Sequence, residues 1–133
     1  MWRRGTLWAA APLAIVLGGC ADSQQFLAKR ERIEETRPVC VQGPDCDAKW
    51  DAALHWVYNH AGFYVRTANA NLIDTYFGGD SDERPVVRVT KEPLGEGKYK
   101  LVVSIDCTNF FGCVPNKWNE ELSFNQTIAS VTP

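Results

Sequence analysis

Two histidines, a stripe of carboxylates and five cysteines are the residues here with types suited to chemistry. His55 and His60 lie five residues apart, which on a helix turns them about 140° away from each other, so they do not share a metal. Asp47, Asp51 and His55 fall at i, i+4 and i+8, on one helical stripe. There, carboxylates could orient a base or hold a weakly bound cation. The same spacing is the solvated face of an amphipathic helix, and that is the simpler account of it. Ser104 sits in an apolar strand pattern with no nucleophile elbow around it. The stretch "GGDSDE" lacks the spacing and the terminal bidentate Glu of an EF-hand loop, and no G-x-x-x-x-G-K phosphate loop is present. These residues point away from an enzyme and imply no cofactor and no metal. A hydrolase built on the Asp47/Asp51/His55 stripe is the less favoured alternative.

Cys20 is the odd cysteine. It ends "LGGC", which follows Arg3-Arg4 and an uncharged run from Leu7 to Leu17. A run of about 11 residues is too short for a bilayer core, which takes about 20. A positive start, a short apolar core and small residues describe a secretory signal. Arg3-Arg4 lacks the serine and phenylalanine that flank a twin-arginine signal. "LGGC" resembles the lipobox of bacterial lipoproteins. The resemblance implies a diacylglyceryl group on the Cys20 thiol, cleavage before Cys20 and acylation of the new amino terminus. Ala21, where an aspartate would retain the protein in the inner membrane, implies the periplasmic face of the outer membrane. The alternative is an ordinary signal peptide with Cys20 as a free or paired thiol.

Export places Cys40, Cys46, Cys107 and Cys113 in an oxidising compartment, where an even cysteine count reads as disulfides. Four cysteines allow three connectivities. "CVQGPDC" and "CTNFFGC" share one spacing and contain turn-forming Gly, with Pro in the first. That favours Cys40–Cys46 and Cys107–Cys113, while a crossed pattern joining the start of the domain to its end stays open. Zinc would need closely spaced ligand pairs such as C-x₂-C. The second loop also carries Phe110 and Phe111, the candidate partner-binding residues. Adjacent rings in a tight loop rarely both reach a core, so one could anchor the loop while the other faces solvent and meets a partner. The simpler account is that both pack over the sheet edge beside Trp118.

Composition excludes some partners. The chain has 14 basic and 16 acidic side chains; without Arg3 and Arg4 the part from Cys20 onward carries a net charge of −4. Phosphate backbones demand a basic patch, so nucleic acid is not an expected partner. Charge alone would not draw the chain to an anionic membrane either.

The positioning elements follow from periodicity. Residues 21–39 are polar and charged, with a marginal helix stopping before Pro38, and read as a tether of about 60 Å at full extension; the alternative is a helix packed on the domain. Residues 45–61 form the strongest helix, between the Pro44-Asp45 start and the Gly62 stop. Its apolar face is Cys46, Trp50, Ala53, Leu54, Val57 and Ala61. The period then changes to two in "FYVRT", "LIDTYF", "VVRVTKE" and "KYKLVVSID", with "PLGEG" as a hairpin turn. Asn116 caps a final helix from about Lys117. The expected fold is α+β, in the order α-β-β-β-β-α: a four-stranded antiparallel sheet packed by an N-terminal and a C-terminal helix. The expected organisation is a signal peptide over 1–19, lipidated cysteine and tether over 20–39, and one domain over 40–133. From Cys40 onward, the C-x-x-x-W helix start and the C-x-N-x-F-G-C loop resemble small disulfide-containing bacterial envelope lipoproteins, a resemblance that brings no activity with it. The function these features suggest is a non-enzymatic binding or structural module with an envelope protein partner. The alternative is a periplasmic inhibitor or an accessory subunit of a secretion or cell-wall machine.

Overall fold

In the computed structural model, which describes residues 20–133, the elements run α1 (Cys20–Glu35), β1 (Val39–Val41), α2 (Pro44–His60), β2 (Val65–Ala68), β3 (Leu72–Thr75), β4 (Val86–Gly95), β5 (Lys98–Asp106) and α3 (Lys117–Ala129). The long period-two runs make the central hairpin. β4 and β5 pair antiparallel, with Val87 opposite Ile105 and Val89 opposite Val103. The turn places Gly95, Glu96 and Gly97 all at positive φ, a backbone region that glycine enters without a Cβ clash. The strand order is β1-β5-β4-β3-β2, with every neighbouring pair antiparallel.

Alternation along the strands sorts the two faces. Ile73, Val87, Val89, Leu101, Val103 and Ile105 are buried on one side. Over them lie Ala53, Trp56 and Val57 of α2 and Phe124 and Ile128 of α3. Trp56 meets Phe124 edge to face at 5.2 Å between ring centroids. The opposite face carries polar residues such as Asp74, Arg88 and Ser104. It is the wet side of the sheet.

α3 starts where the pattern predicts. The Asn116 side chain accepts from the backbone N–H groups of Trp118 and Asn119, satisfying two donors that a helix start leaves free. α2 starts at Pro44 with Asp45 and Asp47 in its first turn, where a carboxylate favours the positive end of the helix. Asp45 also accepts from the Val41 N–H at 2.8 Å and pairs with Lys49 at 2.9 Å. Those contacts, the backbone N–H first, hold its carboxyl below the ordinary range.

The structure corrects the sequence pattern in three places. The sheet has five strands rather than four. The additional one, β1, is three residues long, too short to show a period, and its partners Lys98 to Lys100 are remote in sequence. Its central residue, Cys40, is buried and disulfide-bonded to Cys46, with 4.9 Å between Cα atoms, which fixes the strand to the first turn of α2. Second, residues 20–35 form a helix whose later part is docked rather than free. Ile33 is buried, and Asn125 of α3 donates to the Ile33 carbonyl at 2.9 Å. Phe26 packs edge-on against Trp118 at 5.3 Å, and Lys29 donates to Asn119. Phe26 and Ile33 lie seven residues apart, on one side of a helix, so two turns of α1 meet α3 along a single stripe. Third, Trp56 joins the core, while Trp50, Leu54 and Ala61 are only partly buried around it.

Phe124 is completely buried at the meeting of α3, α2 and the sheet. Its replacement by Ala should lower unfolding free energy by about 3–5 kcal/mol. Urea denaturation read by circular dichroism measures this; a loss below about 1 kcal/mol, the ordinary range for unimportant positions, would mean that α3 is not seated as described.

Candidate functional site

Three loops meet at the end of the sheet where β2 begins, β3 ends, β4 begins and β5 ends. The Gly62 N–H donates to Pro85 O at 2.8 Å, and Tyr76 N–H to Tyr64 O at 3.0 Å. Gly62 passes so close to Arg84 that a Cβ on it would lie 2.4 Å from the Arg84 Cβ. Arg84 in turn stacks over Phe63 at 4.3 Å and forms an ion pair with Asp82 at 2.8 Å. The guanidinium, followed by the Arg84 N–H, holds the Asp82 carboxyl below its ordinary range.

The 107–113 loop is tied to this framework through its polar residues. Cys107 and Cys113 are disulfide-bonded, with 5.5 Å between Cα atoms. The Thr108 hydroxyl donates to Gly79 O at 2.5 Å and accepts from Asp82 N–H at 2.9 Å. Asn109 N–H donates to Asp82 O, and Val114 N–H to Glu83 O. The Asn109 side chain accepts from Phe111 N–H at 2.9 Å, closing the tip on itself.

This arrangement leaves both rings outside. Phe110 is 93% and Phe111 94% exposed, and they touch edge to face at 5.6 Å. Neither ring anchors the loop and neither packs over the sheet edge, because Thr108 and Asn109 supply the anchoring that a buried ring would have supplied. Tyr64, Tyr76 and Phe77 are exposed at the same end. The sequence pattern absorbs these three into strands. The ladders instead begin at Val65 and end at Thr75, so the aromatic ends of both runs fall into the loops.

The remaining candidates are dispersed. Asp47, Asp51 and His55 are exposed on α2, and no hydrogen bond or ion pair joins their side chains. His60 stacks on Trp56 at 4.1 Å and its Nδ1 lies 2.9 Å from Glu120 of α3, so it joins two helices. Residues 1–19, with the signal segment and the first three residues of "LGGC", lie outside the described residues; Cys20 is the first residue of α1.

Two clefts flank the aromatic end, and Phe77 lines the first of them. On the open face, a cleft of about 330 Å³ is lined by Arg66, Asp74, Arg88 and Ser104. Asp74 is buried and accepts from both guanidinium groups, so much of their charge is already engaged. A second cleft, of about 380 Å³, lies between α1, α3 and β5. Its buried carboxyl, Glu121, accepts from Ile105 N–H at 3.1 Å. Burial pushes Glu121 above its ordinary value of 4.5, more than the Ile105 N–H, Lys117 and Arg37 pull it down.

No protein-family model matches the chain, and no curated protein or solved structure is significantly similar to it.

Two outcomes test this geometry. Phe110→Ser and Phe111→Ser should each change stability by no more than about 0.5 kcal/mol, since neither leaves a cavity. A large loss for either in thermal or urea unfolding would place that ring inside. Glu121 binds its proton more tightly folded than unfolded, so its contribution is full below pH 4.5 and is lost as pH rises through the folded value. Glu121→Gln keeps an acceptor for Ile105 N–H without the charge. The variant should be more stable than the parent at pH 7, with the advantage shrinking in acid; equal stability at both pH values would remove burial as the dominant influence.

Proposed function

We propose that this chain is a bacterial envelope lipoprotein, anchored by lipid on Cys20 at the periplasmic face of the outer membrane. Its folded domain serves as a non-enzymatic module that binds another envelope component. The observation carrying this reading is the use of the cysteines. Two local disulfides take Cys40, Cys46, Cys107 and Cys113, leaving Cys20, at the end of "LGGC", outside both. Disulfides are at home in an exported protein, and the −4 charge from Cys20 onward gives no electrostatic route to a membrane. Two or three acyl chains on one residue give stable attachment where a single chain is marginal. Ala21 after the cysteine supports the outer membrane as destination. The exposed pair Phe110 and Phe111, held on a closed loop, supports binding: a rigid aromatic group loses little further entropy when it is buried.

Cys20→Ser removes the lipid acceptor. The variant should lose the mass of the acyl groups and move from the membrane to the soluble fraction after cell disruption. A Cys20→Ser chain that still sediments with membranes after salt washing would mean that attachment does not depend on this residue.

A further inference from the structure

We infer that the loop end of the domain lies against the phospholipid bilayer, with Phe110 and Phe111 seated in the interface between headgroups and acyl chains. The inference rests on the lipid-anchored reading of Cys20 and names what the aromatic loop meets.

The direction of α1 is the first observation. Phe26 lies against Trp118, and Ile33 against Asn125, so α1 and α3 run parallel. α3 starts at the loop end, directly after the 107–113 loop, with Lys117 bonded to Asp106 at the end of β5. α1 continues past Trp118 for six more residues to Cys20, about 9 Å of helix at 1.5 Å per residue. A lipid on Cys20 would therefore emerge from the same end as the aromatic loops. Because α1 is docked on α3, the length that a free tether would provide is taken up in helix. The loop end is then held near the membrane surface.

Surface chemistry is the second observation. Every exposed Phe or Tyr among the described residues lies at this end or on the early part of α1: Tyr58, Tyr64, Tyr76, Phe77, Phe110 and Phe111, with Phe26 on the helix. The exposed large apolar residues elsewhere are aliphatic: Val39, Val41 and Leu94. The tyrosines are amphipathic rings of the kind found at headgroup depth, and the apolar phenylalanine rings suit the headgroup–acyl boundary just beneath it. Charge adds no attraction, since Asp80 and Glu83 are exposed beside an Arg84 already paired with Asp82. Binding should therefore depend on apolar contact and respond little to salt.

Photocrosslinking in the full lipidated chain tests this in isolated envelope membranes, where lipids and membrane proteins both compete for the probe. Benzoylphenylalanine replaces Phe110, Phe111 or, as control at the opposite end, Leu94. Intact mass of the amino-terminal peptide reports the acyl groups on Cys20. With acylated Cys20, phospholipid adducts at positions 110 and 111 should exceed those at 94 by at least about tenfold, as expected for residues at interface depth. Adducts to another protein or to a second copy, or lipid labelling no greater than at position 94, would overturn bilayer contact and leave the anchoring intact. An amino terminus without acyl mass would overturn the anchoring reading and this inference with it.

Discussion

Phe124 and Trp56 meet edge to face above the sheet, and the position of the third helix, α1, depends on that contact. It locks α3 antiparallel to α2, with His60 and Glu120 bonded one turn further along. α2 is itself fixed at its start by the Cys40–Cys46 disulfide. With α3 placed, its first turn must lie at the end of the sheet where β5 stops, and α1 then finds its seat along α3. Ring pairs of this kind contribute about 0.5–1.5 kcal/mol beyond the area they bury, but the geometric consequence is larger. The direction of α1, and with it the position of Cys20, follows from a contact made on the far side of α3.

The sheet's two edges are handled differently, and both solutions use charged groups. β2 is four residues long, bulged between Val65 and Thr67, and carries Arg66, all features that discourage pairing with another strand. β5 is longer than its neighbour β1. Beyond the β1 ladder, Pro38 O accepts from Leu101 N–H, and the Glu121 carboxylate accepts from Ile105 N–H. Placing a carboxyl there is unfavourable by desolvation, as its raised pKa shows. An unpaired buried N–H would also be unfavourable, by about 1–3 kcal/mol. α1 then lies over the cleft, so the helix that begins at Cys20 also covers a sheet edge.

Legibility in the sequence follows the range of the interactions. α2, α3 and the β4–β5 hairpin announce themselves through local signals: Pro44 with Asp45, the Asn116 cap, Gly95 and Gly97. Both disulfides are readable because each closes a short loop. β1 is not, since three residues hold no period and their partners lie about sixty positions away. The docking of α1 is hidden because its apolar residues at the seat are Phe26, against Trp118, and the buried Ile33, and average polarity conceals two well-spaced residues. At the site, Phe110 and Phe111 stand out in the sequence, but their shared exposure does not. It depends on Thr108 and Asn109 bonding to the 79–83 loop, a pairing that sequence proximity does not reveal. Tyr64, Tyr76 and Phe77 escape notice because aromatic residues at the ends of strand patterns look like strand.

Folding stability gives no reason for two adjacent phenylalanines held in water on a closed loop. Burying a Phe side chain fully is worth about 1.5–3 kcal/mol, and a bilayer interface recovers only part of that. Against acyl chains at about 0.8 kcal/mol per methylene, such a pair contributes as much as a few methylenes. It could not replace the proposed lipid as an anchor. Orientation demands less free energy, since about 1.4 kcal/mol already favours one arrangement tenfold. A lipid at one point leaves a domain free to swivel, and two or three rings on the same end remove that freedom. The proposed anchor and the exposed rings would thus have separate roles, the first setting distance from the membrane and the second setting which way the sheet faces. In that pose the open face with Arg66, Asp74 and Arg88 stands beside the membrane rather than against it, and the β4–β5 turn points away.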